Sequence, residues 1–248
     1  MSAALRLLPF LLLAWFGQAS ARELEIPAVR YPALPAVADD VDGFVPPGWR
    51  VERIARGDLN EDGAEDLAFV IRMQDRRNIL DHDRFGARPF DTNPRILAVA
   101  LANRAGGYRL AVQNHALIPR RENPTIEDPF HSEDTDFDIE RRALRLSLYR
   151  FMSAGGWNAG HTTFTFRWQD DALRLIGYDY SDVGRSTGKT VEVSINFLTH
   201  RARTAIGNIE QDDEHVRWTR IARRPLLAIG EIGDGLAFDP QGLLSALP

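Results

Sequence analysis

Long stretches of this chain alternate apolar and polar residues with a period of two, the pattern of strands that bury one face. Trp49 to Arg56 alternates this way, as do His161 to Trp168 and Thr190 to Phe197. Leu67-Ala68-Phe69-Val70-Ile71 is instead a short, mostly apolar and partly β-branched run, which reads as a buried strand. The spacing then predicts hairpins. Arg95 to Leu101 and Tyr108 to Val112 flank a turn ending in Gly106-Gly107, and Asp136 to Glu140 and Ala143 to Tyr149 flank Arg141-Arg142. His161 to Trp168 turns at Gln169-Asp170-Asp171 and returns as Leu173 to Tyr178. Thr190 to Phe197, Arg201 to Thr204 and Val216 to Ile221 complete the set. Nine or ten strands without an amphipathic helical pattern predict an all-β domain of antiparallel hairpins with long loops. A partial propeller, a sandwich and an irregular barrel all satisfy that pattern.

Between the strands lie polar, proline-punctuated segments. Met73 to Pro94 is rich in Arg and Asp and predicts a long loop with one helical turn, and Ile118 to His131 a second loop. Pro225 to Leu244 has room for a short helix. Ahead of the strands, residues 22–47 carry five prolines and predict an extended leader, lying along the domain or free in solvent. Residues 1–21 read as a secretory signal: Arg6, an apolar core from Leu7 to Phe16, then Ala19-Ser20-Ala21 as a small-x-small cleavage site. That core is far shorter than the roughly 20 residues needed to span a bilayer. The organisation expected is a signal peptide (1–21), a leader (22–47) and one all-β domain (48–248), in an exported protein, periplasmic or secreted, with no membrane span.

Within this frame one stretch carries recognisable chemistry. Asp58, Asn60, Asp62 and Asp66 occupy positions 1, 3, 5 and 9 of a loop with Gly63 at position 6. Ca²⁺ takes six to eight oxygens in a flexible shell, and this ladder supplies them, with the Ala64 carbonyl at position 7. Position 12 is Phe69, where an EF-hand needs a bidentate Glu, and a strand rather than a helix follows. The run Gly57 to Leu67 resembles the FG-GAP (integrin-type) repeat, whose blades carry Gly-Asp-Leu-Asn-x-Asp-Gly-x-x-Asp-Leu between strands. The order of later blocks, Gly106-Gly107, Gly155-Gly156-Trp157, Phe164 to Gln169, Leu175 to Gly177 and Ser194 to Thr199, is similar to secreted bacterial proteins tagged by an FG-GAP or VCBS-type loop. The resemblance implies a calcium-binding hairpin tip. A complete propeller of that type would repeat the loop blade by blade, and this chain holds one copy. A solvated acidic turn is the plain alternative, because Asp, Asn and Gly favour turns in any case.

Composition narrows the rest. The formal net charge of −5 without a basic cluster speaks against nucleic-acid binding. Cysteine is absent, so the fold relies on its core, aided by any bound metal. Gly184-Arg185-Ser186-Thr187-Gly188 matches a nucleophile elbow and brushes a P-loop, but a strand follows where both need a helix. His131, Glu133, Asp134, Asp136 and Asp138 form an acidic cluster that reads as a solvated edge or a second cation site. Trp157, set among glycines, is either an exposed platform for a sugar or aromatic group or a turn anchor over the core. The reading that follows is an exported, non-catalytic calcium-binding module facing a protein or glycan. Its alternative is a secreted hydrolase using loop carboxylates such as Asp81, Asp83, Glu127 or Asp134, which requires two carboxyls about 5–10 Å apart.

Overall fold

The computed structural model describes residues 24–131, 135–154 and 156–247, so the signal segment 1–21 lies outside it. The chain is all-β. Its strands are β1 (Val37–Ala38), β2 (Trp49–Gly57), β3 (Asp66–Met73), β4 (Ile79–Leu80), β5 (Phe90–Asp91), β6 (Arg95–Ala102) and β7 (Tyr108–Asn114). They continue as β8 (Phe137–Glu140), β9 (Ala143–Phe151), β10 (Asn158–Gln169), β11 (Ala172–Gly184), β12 (Lys189–Asn196), β13 (Arg201–Asn208) and β14 (Gln211–Arg220).

Two antiparallel sheets stack face to face. One has the order β1-β7-β6-β3-β2, and the other is an unbroken meander from β8 to β14. Neither closes into a barrel, so the sandwich is the arrangement adopted. Hairpin chemistry sets the meander. Arg141-Arg142 and Asp170-Asp171 take positive φ at both central turn residues, the geometry whose twist matches that of paired strands. The turn expected at Gln169 therefore tightens to two residues, and Gln169 pairs with Ala172 as the last rung of β10.

The main core lies between the sheets. Ala68, Val70, Leu97 and Val99 face Leu146, Leu148, Phe164, Phe166, Tyr178 and Ile195 across it. A second core covers the other side of the smaller sheet, where Leu34, Val41, Phe44 and Trp49 pack on Leu67, Phe69, Ile71 and Ile96. β3 and β6 are thus buried on both faces, which is why their sequences run apolar without alternating. The proline-rich leader forms this outer layer. Leu34 N–H donates to Gln113 Oε1 at 3.0 Å, the Gln113 amide donates to the Pro32 carbonyl at 2.7 Å, and Tyr31 stacks on His115.

The long loops are tied down. Met73 to Pro94 holds a 3-10 turn at Arg76–Asn78 and the β4–β5 ladder, and Arg120 binds it from the following loop. The Arg120 guanidinium donates to the Thr92 carbonyl (2.6 Å), the Asn78 side chain (3.1 Å) and the leader's Pro27 carbonyl (2.7 Å). The tail forms two short 3-10 helices, at Ile229–Glu231 and Pro240–Gly242. Among the described residues no helix is long and apolar enough to cross a membrane.

Gly160 permits the closest strand approach. A Cβ there would fall on the Ser181 carbonyl oxygen, backbone that moves only if β10 and β11 separate. Gly160→Ala is expected to lower stability by about 1–3 kcal/mol in thermal or urea unfolding, the usual range for an overpacked site. A variant as stable as the parent would show that the ladder has slack at this point.

Candidate metal centre

The loop from Asp58 to Glu65 caps the β2–β3 hairpin, whose last rung is Gly57 opposite Asp66. It is fixed from below by Leu59, which is 1% exposed and belongs to the main core. From the side, Glu61 meets Arg142 of the β8–β9 turn at 3.0 Å. The loop tip therefore sits where the edges of the two sheets approach, at Gly57 beside Ile139.

Within the loop each short polar side chain holds the backbone ahead of it. Asp58 accepts the N–H groups of Glu61 at 2.7 Å and Gly63 at 3.1 Å. Asn60 Oδ1 accepts from Asp62 N–H at 3.1 Å, and Asp62 Oδ1 from Ala64 N–H at 2.9 Å. The Asn60 amide also donates to Asp62 Oδ2 at 3.0 Å, so these two side chains are brought together. Gly63 has φ of +82°, a left-handed turn that a residue without Cβ adopts at least cost. The Ala64 N–H and the Asn60 amide hold the Asp62 carboxyl below its ordinary pKa.

Asp66 is different. It is fully buried, and its two oxygens accept from Leu59 N–H and Ala102 N–H, both at 2.9 Å. Burial pushes its pKa up, and the charge of Asp62 adds to the rise. Among the described residues no arginine or lysine forms an ion pair with it. The loop thus keeps a desolvated carboxylate beneath Asp62, and the positive charge that reaches this pair comes from Arg104, which acts on Asp62. Among the described residues no three acidic or histidine side chains converge into a ligand cage by themselves. The set the loop offers is mixed: the carboxylates of Asp58 and Asp62, the Asn60 amide oxygen and the Ala64 carbonyl, with Asp66 beneath. Each carboxylate oxygen retains a lone pair beyond the bond described, so this donor chemistry fits a hard cation.

The other residues singled out from sequence are scattered. Trp157 is 70% exposed, and its carbonyl accepts from Arg185 N–H at 2.7 Å. Asp81 faces Arg88 at 3.4 Å on the surface, and Glu127 borders a shallow hollow with His131, Tyr149 and Phe151. Asp136 lies 3.4 Å from Arg145, while Glu133 and Asp134 fall outside the described residues. Gly184 to Gly188 is a tight turn joining β11 to β12, closed by Gly188 N–H on the Gly184 carbonyl at 2.7 Å.

Sequence reasoning missed the densest charge cluster. The Arg95 guanidinium donates to both oxygens of Glu52 at 2.6 and 2.9 Å and to both of Asp128 at 2.8 Å. Arg72 adds contacts to Asp91 at 2.9 Å and to Glu52 at 3.5 Å. Burial alone would raise the Asp128 carboxyl, but the hydrogen bonds and charge of Arg95 bring it down to about 2. The same partners raise Arg95 against its own burial. One signal was legible, an arginine opening the otherwise apolar strand Arg95 to Leu101, but its partners sit 33 and 43 residues away. Comparison with family models, with curated proteins and with solved structures finds no match.

Proposed function

We propose that this chain is an exported, non-catalytic calcium-binding β-module that presents its surface to a protein or glycan of the cell envelope or exterior. The observation that carries the reading is the β2–β3 tip, where an oxygen ladder surmounts the buried carboxylate of Asp66, which has no ion-pair partner among the described residues. Asp58, Asn60, Asp62 and the Ala64 carbonyl are the ligands, and Asp66 contributes its charge directly or through a water. Calcium there offsets the repulsion among three aspartates and fastens the hairpin tip to the junction of the sheets. Trp157, exposed and flanked by glycine, is the contact residue this reading assigns to the partner.

Calcium modules outside the cell commonly bind at about 10⁻⁴–10⁻³ M. At that affinity, about 10 mM Ca²⁺ stabilises the folded chain by about 1.4–2.7 kcal/mol through mass action. For a domain of this size the melting temperature rises by about 3–10 °C. Mg²⁺, which demands a tighter octahedral shell, gives a smaller rise, and chelator removes it. Asp58→Ala with Asp62→Ala abolishes the calcium response. A melting temperature indifferent to Ca²⁺ would reduce the loop to an acidic turn and remove the main support for this function.

A further inference from the structure

The chain after β14 doubles back over the larger sheet. Ile221 N–H donates to the His200 carbonyl at 3.1 Å, Leu175 N–H to the Leu227 carbonyl at 2.9 Å, and Arg174 bridges to Ala228. Further on, the Gln241 amide donates to the Ala222 carbonyl at 3.2 Å and Tyr178 Oη to the Phe238 carbonyl at 3.3 Å. The strap is therefore held at both margins, and between them it stands off the sheet. Beneath it lies a cavity of about 220 Å³ whose apolar walls include Leu175, Phe197, Leu226 and Phe238.

Four polar side chains border this space: His200, Arg224, Asp239 and Gln241, the last already donating to the Ala222 carbonyl. Asp239 is already committed. Its oxygens accept from Leu244 N–H (2.8 Å), Ser245 N–H (2.9 Å) and Ser245 Oγ (2.6 Å). Arg224 is exposed and, among the described residues, forms no ion pair. An apolar cavity with a few convergent polar groups is the usual build of a small-molecule site. A guanidinium with no ion-pair partner among the described residues suits a carboxylate, which it can hold through two parallel hydrogen bonds. Size agrees: an apolar cavity of roughly 150 Å³ accepts benzene.

We propose that this cavity binds a small monocarboxylate with a compact apolar body. The body lies against Phe197 and Phe238, and the carboxylate meets Arg224 at the rim, with His200 as a second donor. The site is independent of calcium.

Hexanoate, hexanol and hexylamine serve as probes, titrated calorimetrically into the full mature chain. Hexanoate is expected to bind at least five-fold tighter than hexanol, and hexylamine weaker than either. Arg224→Gln, a surface change that leaves the core alone, should erase the hexanoate advantage and leave hexanol unchanged. Leu226→Trp, which fills the cavity from the strap, should weaken hexanoate and hexanol at least ten-fold. The proposal is overturned if hexanoate fails to bind, if it binds no tighter than hexanol, or if Arg224→Gln leaves its affinity intact. Melting curves of each variant without ligand distinguish loss of the site from loss of the fold.

Discussion

Arg95→Ala is expected to destabilise the protein by about 3–5 kcal/mol in urea unfolding, the cost of breaking a buried ion pair from one side. The Arg95 side chain is 4% exposed and neutralises Glu52 and Asp128 together. Without it, two desolvated carboxylates share the more distant Arg72, at 3.5 and 3.7 Å. Adding Glu52→Gln and Asp128→Asn to Arg95→Met should recover much of the loss, because neutral groups of similar size carry no uncompensated charge. The cluster also sets the acid limit of the fold. Asp128 titrates near 3.8 when unfolded and about 2 when folded, so between these values the unfolded chain binds more protons. Its contribution is therefore present above the unfolded value and lost as pH falls through the folded one. The amount is about 2 kcal/mol, and the loss should be missing from Asp128→Asn. An Arg95→Ala protein that unfolds within about 1 kcal/mol of the parent would mean that water reaches the cluster and screens it.

Asp66→Ala is the second large effect, at roughly 3 kcal/mol. The Leu59 and Ala102 N–H groups lose their acceptor, each at about 1–3 kcal/mol where water does not replace it. Asp66→Asn retains one acceptor oxygen but turns an NH₂ toward the other donor, so it should fall between alanine and the parent. The comparison separates two roles in the loop. Asp58 is half-buried and Asp62 exposed, and their loss should act chiefly on the calcium response, whereas loss of Asp66 should lower stability with or without the metal. The titration of Asp66 runs opposite to that of Asp128. Its folded pKa is raised, so the relative stability it confers is present below the unfolded value and fades as pH rises through the folded one. On the proposed function a bound calcium would relieve that desolvated charge, so any calcium-induced rise in melting temperature should shrink as the medium is acidified. A rise that grows on acidification would contradict a cation held by these carboxylates.

What the sequence by itself determined is local. Period-two alternation placed the hairpins, because each strand keeps one face dry and one wet whatever lies beyond it. Arg141-Arg142 marked a turn that the structure shows as a two-residue reversal, and the turn read at Gln169-Asp170-Asp171 is there with Gln169 drawn into the ladder. The segment from Asp58 to Glu65 was legible as the tip of a hairpin because its turn-forming residues are adjacent in the chain. What only the tertiary structure decided concerns contacts between distant segments. Whether the hairpins stacked as a sandwich or closed into a barrel depended on where the sheet edges ended, which no single strand encodes. The leader's residues Leu34, Val41 and Phe44 became a core layer only because β3 and β6 offer a second apolar face. The same holds for Arg95, which meets Glu52 and Asp128 from separate segments, and for the cavity, which exists because the tail packs over β11 and the turn between β12 and β13. Periodicity reports which residues avoid water, and it carries no record of which distant segment excludes the water from them.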